Sequence, residues 1–185
     1  MLAQSSPAAT ADCTTVQQSA LDLPFEAFDQ AETGWRRWAA YGCEREVAAL
    51  IVAYRDLHTD ELDTSQLSLL DWHAGQLYAA AGDYGIAIER MMLAKEATSE
   101  LAELEYINAT IAFLRSDREA LLAARQRMAA IPEPAAFGRA ADRYVATYNL
   151  PRPVWPLNLE VVDGMISCFG WSYKKAYECR QEAQP

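Results

Sequence analysis

The stretch "WHAGQLYAAAGDYGIAIERMMLAKE", Trp72 to Glu96, decides how the chain folds. Small residues stand at Gly75, Ala87 and Ala94, aromatics at Tyr78 and Tyr84, and a Gly82-Asp83 break lies between the two halves. Two readings compete: a catalytic stretch organised around His73, or two helices notched so that their backbones approach closely. The spacing favours the second. Small and apolar positions recur at intervals of three and four, the period of a helix face. A glycine followed by an aspartate is a helix stop followed by a start, and Asp83 is expected to cap the second helix through its side chain.

Outward from this hairpin the same period continues. Residues 25–41 are expected as a first helix burying Phe25, Phe28, Trp35 and Trp38, and 43–58 as a second, with Val47, Leu50, Ile51 and Tyr54 inward. His58 ends that helix, where a cation meets the negative end of the dipole. A third helix spans 65–81, a fourth 83–97 and a fifth 99–115. A sixth opens at "SDRE", where Ser116 and Glu119 have capping-box spacing, and ends near Ile131. Residues 132–156 read as less regular. "AAFGRAADRYVATYN" suits a short helix, while the prolines of "LPRPVWP" hold it extended. Asn158 is placed to cap "LEVVDGMISCF", and a short "SYKKAYEC" follows Gly170. Almost nothing alternates with period two, so the expected class is all-α. One domain is expected: a lead-in over 1–23, a helical core over 24–131, and C-terminal helices with the Pro-containing segment packed on it over 132–185.

The totals agree with a globular chain. The 185 residues are 51% hydrophobic and 23% charged, with a net charge of -10. A surface of that sign repels phosphate backbones, which argues against nucleic acid and makes a basic protein or peptide the easier partner. No apolar run reaches the about 18 residues that a membrane helix requires. The opening "MLAQSSPAATADC" lacks a charged segment followed by an apolar one, and instead resembles a polar lead-in left after signal removal. The four cysteines, Cys13, Cys43, Cys168 and Cys179, form no CxxC and do not match zinc spacing. Of three possible pairings, Cys13–Cys43 and Cys168–Cys179 are favoured: one pins the lead-in to a helix, the other closes a hairpin around Gly170. Paired cysteines imply a periplasmic or secreted setting; four reduced ones would imply the cytoplasm.

The three turns, Gly42-Cys43, Gly82-Asp83 and Ser116-Asp117, are 40 and 34 residues apart, a spacing that suggests stacked hairpins. Residues 72–96 resemble the tetratricopeptide repeat family through Gly75, Tyr78, Gly82, Tyr84, Ala87 and Ala94, in that order and spacing. The family's terminal proline is missing, and Trp72 sits one place from the commonest tryptophan position. The next hairpin keeps Ala109, Ala112 and the Ser116-Asp117 turn, with Leu121 where a small residue is usual. In the first hairpin Trp35 and Trp38 take the small and aromatic positions.

The resemblance implies about three stacked hairpins and a concave groove lined by Trp72, Gln76, Ala79 and Ala80, by Tyr106 and Thr110, and by Glu32 and Arg36. It therefore implies a non-catalytic protein- or peptide-binding module without cofactor. Trp72 is expected to stand in that groove as an aromatic anchor, whereas Trp35, Trp38, Trp155 and Trp171 are expected in the core. Apolar "PVWP" is the segment that could fold in and fill the groove.

Other functional classes keep a place. The acidic surface also suits an inhibitor or immunity-type protein that covers a basic enzyme, and a groove can serve a homodimer. An α-helical hydrolase or metal-dependent enzyme would need His58 or His73 to meet several carboxylates. No Walker loop, G-x-S-x-G or H-E-x-x-H occurs, and Cys43 at a helix start has no evident His or Asn partner. Neither catalytic nor metal-ligating residues are assigned.

Overall fold

Gly75 lies where a side chain would not fit. A Cβ there would meet Met91 Cγ at 2.8 Å and the Ala87 carbonyl oxygen at 3.2 Å, so the two helices on either side of the Gly82 turn touch at the position of the notch. In the computed structural model, which describes Cys13 and residues 18–32, 34–39 and 42–179, these helices are α3 (Thr64–Ala80) and α4 (Tyr84–Ala97). Around them run α1 (Arg36–Ala39), α2 (Glu44–Leu57), α5 (Leu101–Leu114), α6 (Arg118–Ala129), α7 (Ala135–Tyr148), α8 (Leu159–Ser167) and α9 (Tyr173–Tyr177). No strand occurs among the described residues, so the chain is all-α as expected.

Three of the connections, α1 to α2, α3 to α4 and α5 to α6, each use one left-handed residue: Gly42 (φ 83°), Gly82 (φ 87°) and Ser116 (φ 56°). Glycine takes that conformation without cost; Ser116 does so as a non-glycine residue. The helix starts differ from expectation. Asp83 makes no cap bond, because its carboxylate is held by the Arg45 guanidinium from α2, with Nη2 to Oδ1 at 2.8 Å. At α6 the cap is Asp117, accepting from Ala120 N–H at 2.9 Å, and not Ser116. Asn158 sits at the start of α8 but forms no side-chain cap bond. The reciprocal capping box falls instead at Asp63 and Gln66, at the head of α3.

The expected first helix over 25–41 is broken. A π-turn, Glu26–Gln30, ends at the extended Ala31, and a single helical turn follows at α1. The cause is Gly34, whose missing side chain lets the chain press onto the Phe28 carbonyl, while Trp35 N–H donates to that same oxygen at 3.2 Å. The last expected residues, 40 and 41, lie outside the described residues. Phe28 and Trp35 are buried, Phe25 and Trp38 half-buried.

Two apolar cores result, and α3 joins them. Leu70 and Ala74 on one side of α3 pack with Phe28, Val47, Ile51 and Tyr54. Trp72 and Ala79 on the other pack with Met91, Ile107, Leu121, Met128, Val162 and Met165. Buried Asp71 ties three helices together, accepting from Arg55 of α2 at 3.0 Å and Arg90 of α4 at 3.2 Å.

Most of the lead-in lies outside the described residues, but its end is packed. Ala20 is buried, Tyr54 Oη donates to the Leu23 carbonyl at 2.9 Å, and a His58 ring nitrogen meets the Leu21 carbonyl at 2.8 Å. Both favoured disulfides are present, with Cα atoms 5.5 Å apart for Cys13–Cys43 and 6.3 Å for Cys168–Cys179. These bridges are compatible with an oxidising location outside the cytoplasm. No described helix is long and apolar enough to cross a membrane.

Separations of 30 and 11 residues rank the two bridges. Serine pairs in place of Cys13–Cys43 are expected to cost about 3.5 kcal/mol, and in place of Cys168–Cys179 about 3 kcal/mol, because the longer loop restrains the unfolded chain more. Urea unfolding of the two double variants checks the order.

Candidate functional site

The implied groove runs along α3 and α5, and in this structure it is full. Trp72 is only 8% exposed and stands edge-on to Tyr106 of α5, ring centres 5.1 Å apart. Ala79 and Thr110 are buried completely, and the Thr110 hydroxyl donates back to the Tyr106 carbonyl at 3.0 Å. These four are core residues here, which corrects the expectation of an open lining with Trp72 as its anchor. The aromatic surface that a partner would need is already covered.

The elements packed there are α8 and α9, and not the "PVWP" segment. Tyr173 is buried 5.6 Å from the Tyr177 ring and 6.4 Å from Phe113 of α5. Its backbone N–H donates to Tyr84 Oη at 3.0 Å. Burial pushes the hydroxyls of Tyr106 and Tyr173 well above the ordinary tyrosine range. Lys174 pairs with Glu44 at the start of α2. Burial alone would raise that carboxyl, but the hydrogen bond and charge of the ammonium hold it below its usual value.

Gln76 and Ala80 remain on a wall of the structure. Together with Leu77, Ala39, Tyr173 and Tyr177 they bound a cleft of about 400 Å³ between α3 and α9. Glu32 is exposed. Arg36 is half-buried over the Trp35 ring at 4.3 Å, with Nη1 buried and unbonded. The eight residues implied as a groove therefore form no continuous open surface.

The other flank of α3 carries a polar knot. Asp29 is fully buried and accepts from Trp35 Nε1 at 2.9 Å, with His73 Nδ1 at 2.8 Å from the same oxygen. Burial alone would raise its carboxyl. The hydrogen bond and charge of His73, the Trp35 bond and nearby Arg36 outweigh it and hold the carboxyl below 3.8. A carboxylate that orients an imidazole is half of a hydrolytic triad. The remaining contacts of this pair are Gln30 and Trp35, and no hydroxyl bonds to His73 among the described residues.

His58 belongs to a separate network, between the Leu21 carbonyl and Glu61. All four cysteines are in disulfides. No group of three His, Cys, Asp or Glu among the described residues is placed to hold a metal ion.

Asp29 makes an acid limb measurable. A carboxyl depressed in the fold adds stability above its unfolded value of 3.8, and that stability is lost as pH falls through the lower folded value. The melting temperature is expected to fall on acidification below pH 3.8. In Asp29→Asn this limb should be shallower, with a lower midpoint at neutral pH; scanning calorimetry between pH 2 and 7 checks both.

A second candidate surface escaped the sequence reading. α7 runs 14 residues, over the stretch where the sequence suits a short helix, and only Ala141 along it is buried. Its partner is the proline segment. Trp155 packs on Phe137 at 4.9 Å and donates to the Ile131 carbonyl at 2.9 Å. Arg152 clamps Glu133 at 2.6 Å and Asp142 at 3.3 Å. Beyond this clamp the apolar side of α7 continues into solvent as the Tyr144–Tyr148 pair, 5.1 Å apart, with Leu150, Val154 and Leu157 exposed on the return. The signal was available in the three-to-four spacing of Phe137, Ala141, Tyr144, Val145 and Tyr148, but the surrounding prolines favoured an irregular reading. Trp171, expected in the core, is 59% exposed. Comparison with protein-family models, with characterised proteins and with solved structures returns no match for this chain.

Proposed function

We propose that the chain is a non-catalytic, exported helical-repeat module of tetratricopeptide type that binds a protein through the projection formed by α7 and residues 149–157. The repeat assignment is supported by the Gly75–Ala87 contact and by three turns of like geometry. The binding assignment is carried by one observation. Among the described residues, five of the eleven exposed large hydrophobics, Tyr144, Tyr148, Leu150, Val154 and Leu157, fall within this single segment. Apolar surface concentrated at one place is what an interface requires; scattered surface leucines are ordinary.

Charge selects the partner. The projection carries Arg139, Arg143 and Arg152 against Asp142, with Glu133 just before it, in a chain whose net charge is -10. Arg152 is consumed by its clamp. Arg139 and Arg143 are exposed and have no ion pair among the described residues. The partner that fits is a protein with an apolar patch edged by carboxylates, so that the tyrosines supply contact area and the guanidiniums supply register.

A photocrosslinking residue at position 148, introduced in the producing cell, tests this. Adducts with one protein are expected, and that protein, purified, should bind the chain. Tyr144→Ala with Tyr148→Ala should weaken binding at least tenfold, and Arg139→Glu with Arg143→Glu should remove its salt dependence. The reading fails if binding ignores these changes, or if the adducts join two copies of this chain.

A further inference from the structure

The side of α5 turned away from Tyr106 borders a separate cleft of about 400 Å³, between α4 and α6. Its floor is aliphatic: Ile111 and Ala112 are buried, Met92 and Ala120 half-buried. Its two ends differ in charge. At one, Arg127 binds Glu105 through two bonds of 2.8 Å, and Asn108 Nδ2 donates to the same carboxylate at 3.3 Å. Burial alone would raise the Glu105 carboxyl; these bonds and the charges of Arg127 and Lys95 hold it below its usual value. Lys95 is half-buried, and its ammonium has no ion pair or hydrogen bond of its own among the described residues. This end therefore already stabilises one carboxylate and keeps a cation unspent. At the other end Arg115 is joined by Asp117, whose Oδ1 caps α6, so the two signs offset each other there.

We propose that this cleft binds an unbranched aliphatic monocarboxylate of medium chain length, its carboxylate on Lys95 and its hydrocarbon along the floor toward Arg115. Charge limits the ligand to one carboxylate. The chain as a whole carries -10, which opposes every further negative charge brought to its surface, so phosphate chains are disfavoured. The floor supplies the affinity, because a half-exposed ion pair contributes little and burial of hydrocarbon contributes in proportion to its area. Its small residues, Ala112 and Ala120, leave the space, and Met92 is a side chain that adapts to what lies on it. Length follows from α5: Asn108 and Arg115 stand two turns apart on one face, about 10 Å along the axis, which an extended chain of about eight carbons spans. The cleft shares no residue with the α7 projection and does not rest on it.

Octanoate is titrated into the isotope-labelled full-length chain and followed by amide chemical shifts. Saturable shifts are expected over residues 92–95, 108–115 and 117–120. Octanol, which lacks the charge, and butyrate, which lacks the length, should each bind at least tenfold more weakly. Lys95→Gln should weaken octanoate at least tenfold, and so should Ala120→Leu, which fills the floor and leaves the lysine in place. Arg115→Gln should change the affinity by less than about threefold, as expected of a cation that takes no part in seating the carboxylate. Circular dichroism checks that each variant keeps its helices; if Ala120→Leu does not fold, Lys95→Gln decides alone. Shifts that fail to saturate below the micelle-forming concentration of octanoate overturn the proposal. So do octanol binding as tightly as octanoate, and a Lys95→Gln chain that binds octanoate unchanged.

Discussion

Asp71→Ala is expected to destabilise the fold by about 3–5 kcal/mol, the range for removing one member of a buried ion network. The carboxylate is 3% exposed and receives Arg55 from α2 and Arg90 from α4, whose side chains are 22% and 24% exposed. Removing it leaves Arg90 without this carboxylate and Arg55 with Asp56 alone, on side chains that are mostly shielded from water. The loss therefore exceeds that of a surface pair, which is worth about 0–1 kcal/mol. Asp71→Asn keeps an acceptor and should cost less. Arg55→Ala and Arg90→Ala should each recover part of the loss when combined with Asp71→Ala, because each removes one stranded charge. Chemical denaturation of the three single alanine variants and the two doubles forms the double-mutant cycles that check this. A cost near that of a surface pair would mean that the three helices are joined by apolar packing alone.

Gly164→Ala is expected to be the most damaging small change in the C-terminal third, at about 3 kcal/mol, the upper end for an added methyl in a packed interface. A Cβ on Gly164 would collide with the Cys179 carbonyl and stand 3.3 Å from the Ala176 carbonyl oxygen. Backbone atoms held by a disulfide do not yield as a side-chain end does. Alanine should otherwise favour the helix by about 1 kcal/mol, so the sign of the net effect tests the contact. The control is Gly85→Ala in α4, where a Cβ meets nothing within 4 Å; that variant should gain about 0.5–1 kcal/mol. Thermal melts report both. Gly164→Ala should also speed hydrogen exchange over residues 173–179 while leaving α3–α4 protected, since the collision parts α8 from α9 and nothing else.

Much of the architecture was legible because its causes are local. The Gly75 notch, the breaks at Gly42 and Gly82 and the stripe Val47–Leu50–Ile51–Tyr54 act within one or two turns of helix, and the structure has them where the spacing placed them. The capping errors have a physical source. Asp83 had two bidders, its own helix's amides and a distant guanidinium, and Arg45 won with two charge-assisted bonds. The broken helix over 25–41 has another: Gly34 trades helical continuity for contact with the Phe28 carbonyl, which no periodicity reveals.

The site was less legible than the fold. Trp72 carries the same sequence signal whether it faces a partner or a tyrosine of its own chain. Its ring stands edge-on to Tyr106 of α5, a contact between helices that the spacing within α3 does not reveal. The α7 projection was hidden for the converse reason: its apolar spacing predicts burial, yet nothing in the chain returns to cover Tyr148, which stays 64% exposed.

By itself the sequence determined that the chain is all helical and where most hairpins turn, since these follow from interactions between residues near in the chain; it favoured, without fixing, the two cysteine pairs that the structure contains. Only the tertiary structure decided which segments cover α3 and α5 and which apolar surface is left to solvent. Those outcomes come from competition among distant segments for the same area, and burial energy is non-directional, so the pattern of apolar residues does not name the winner.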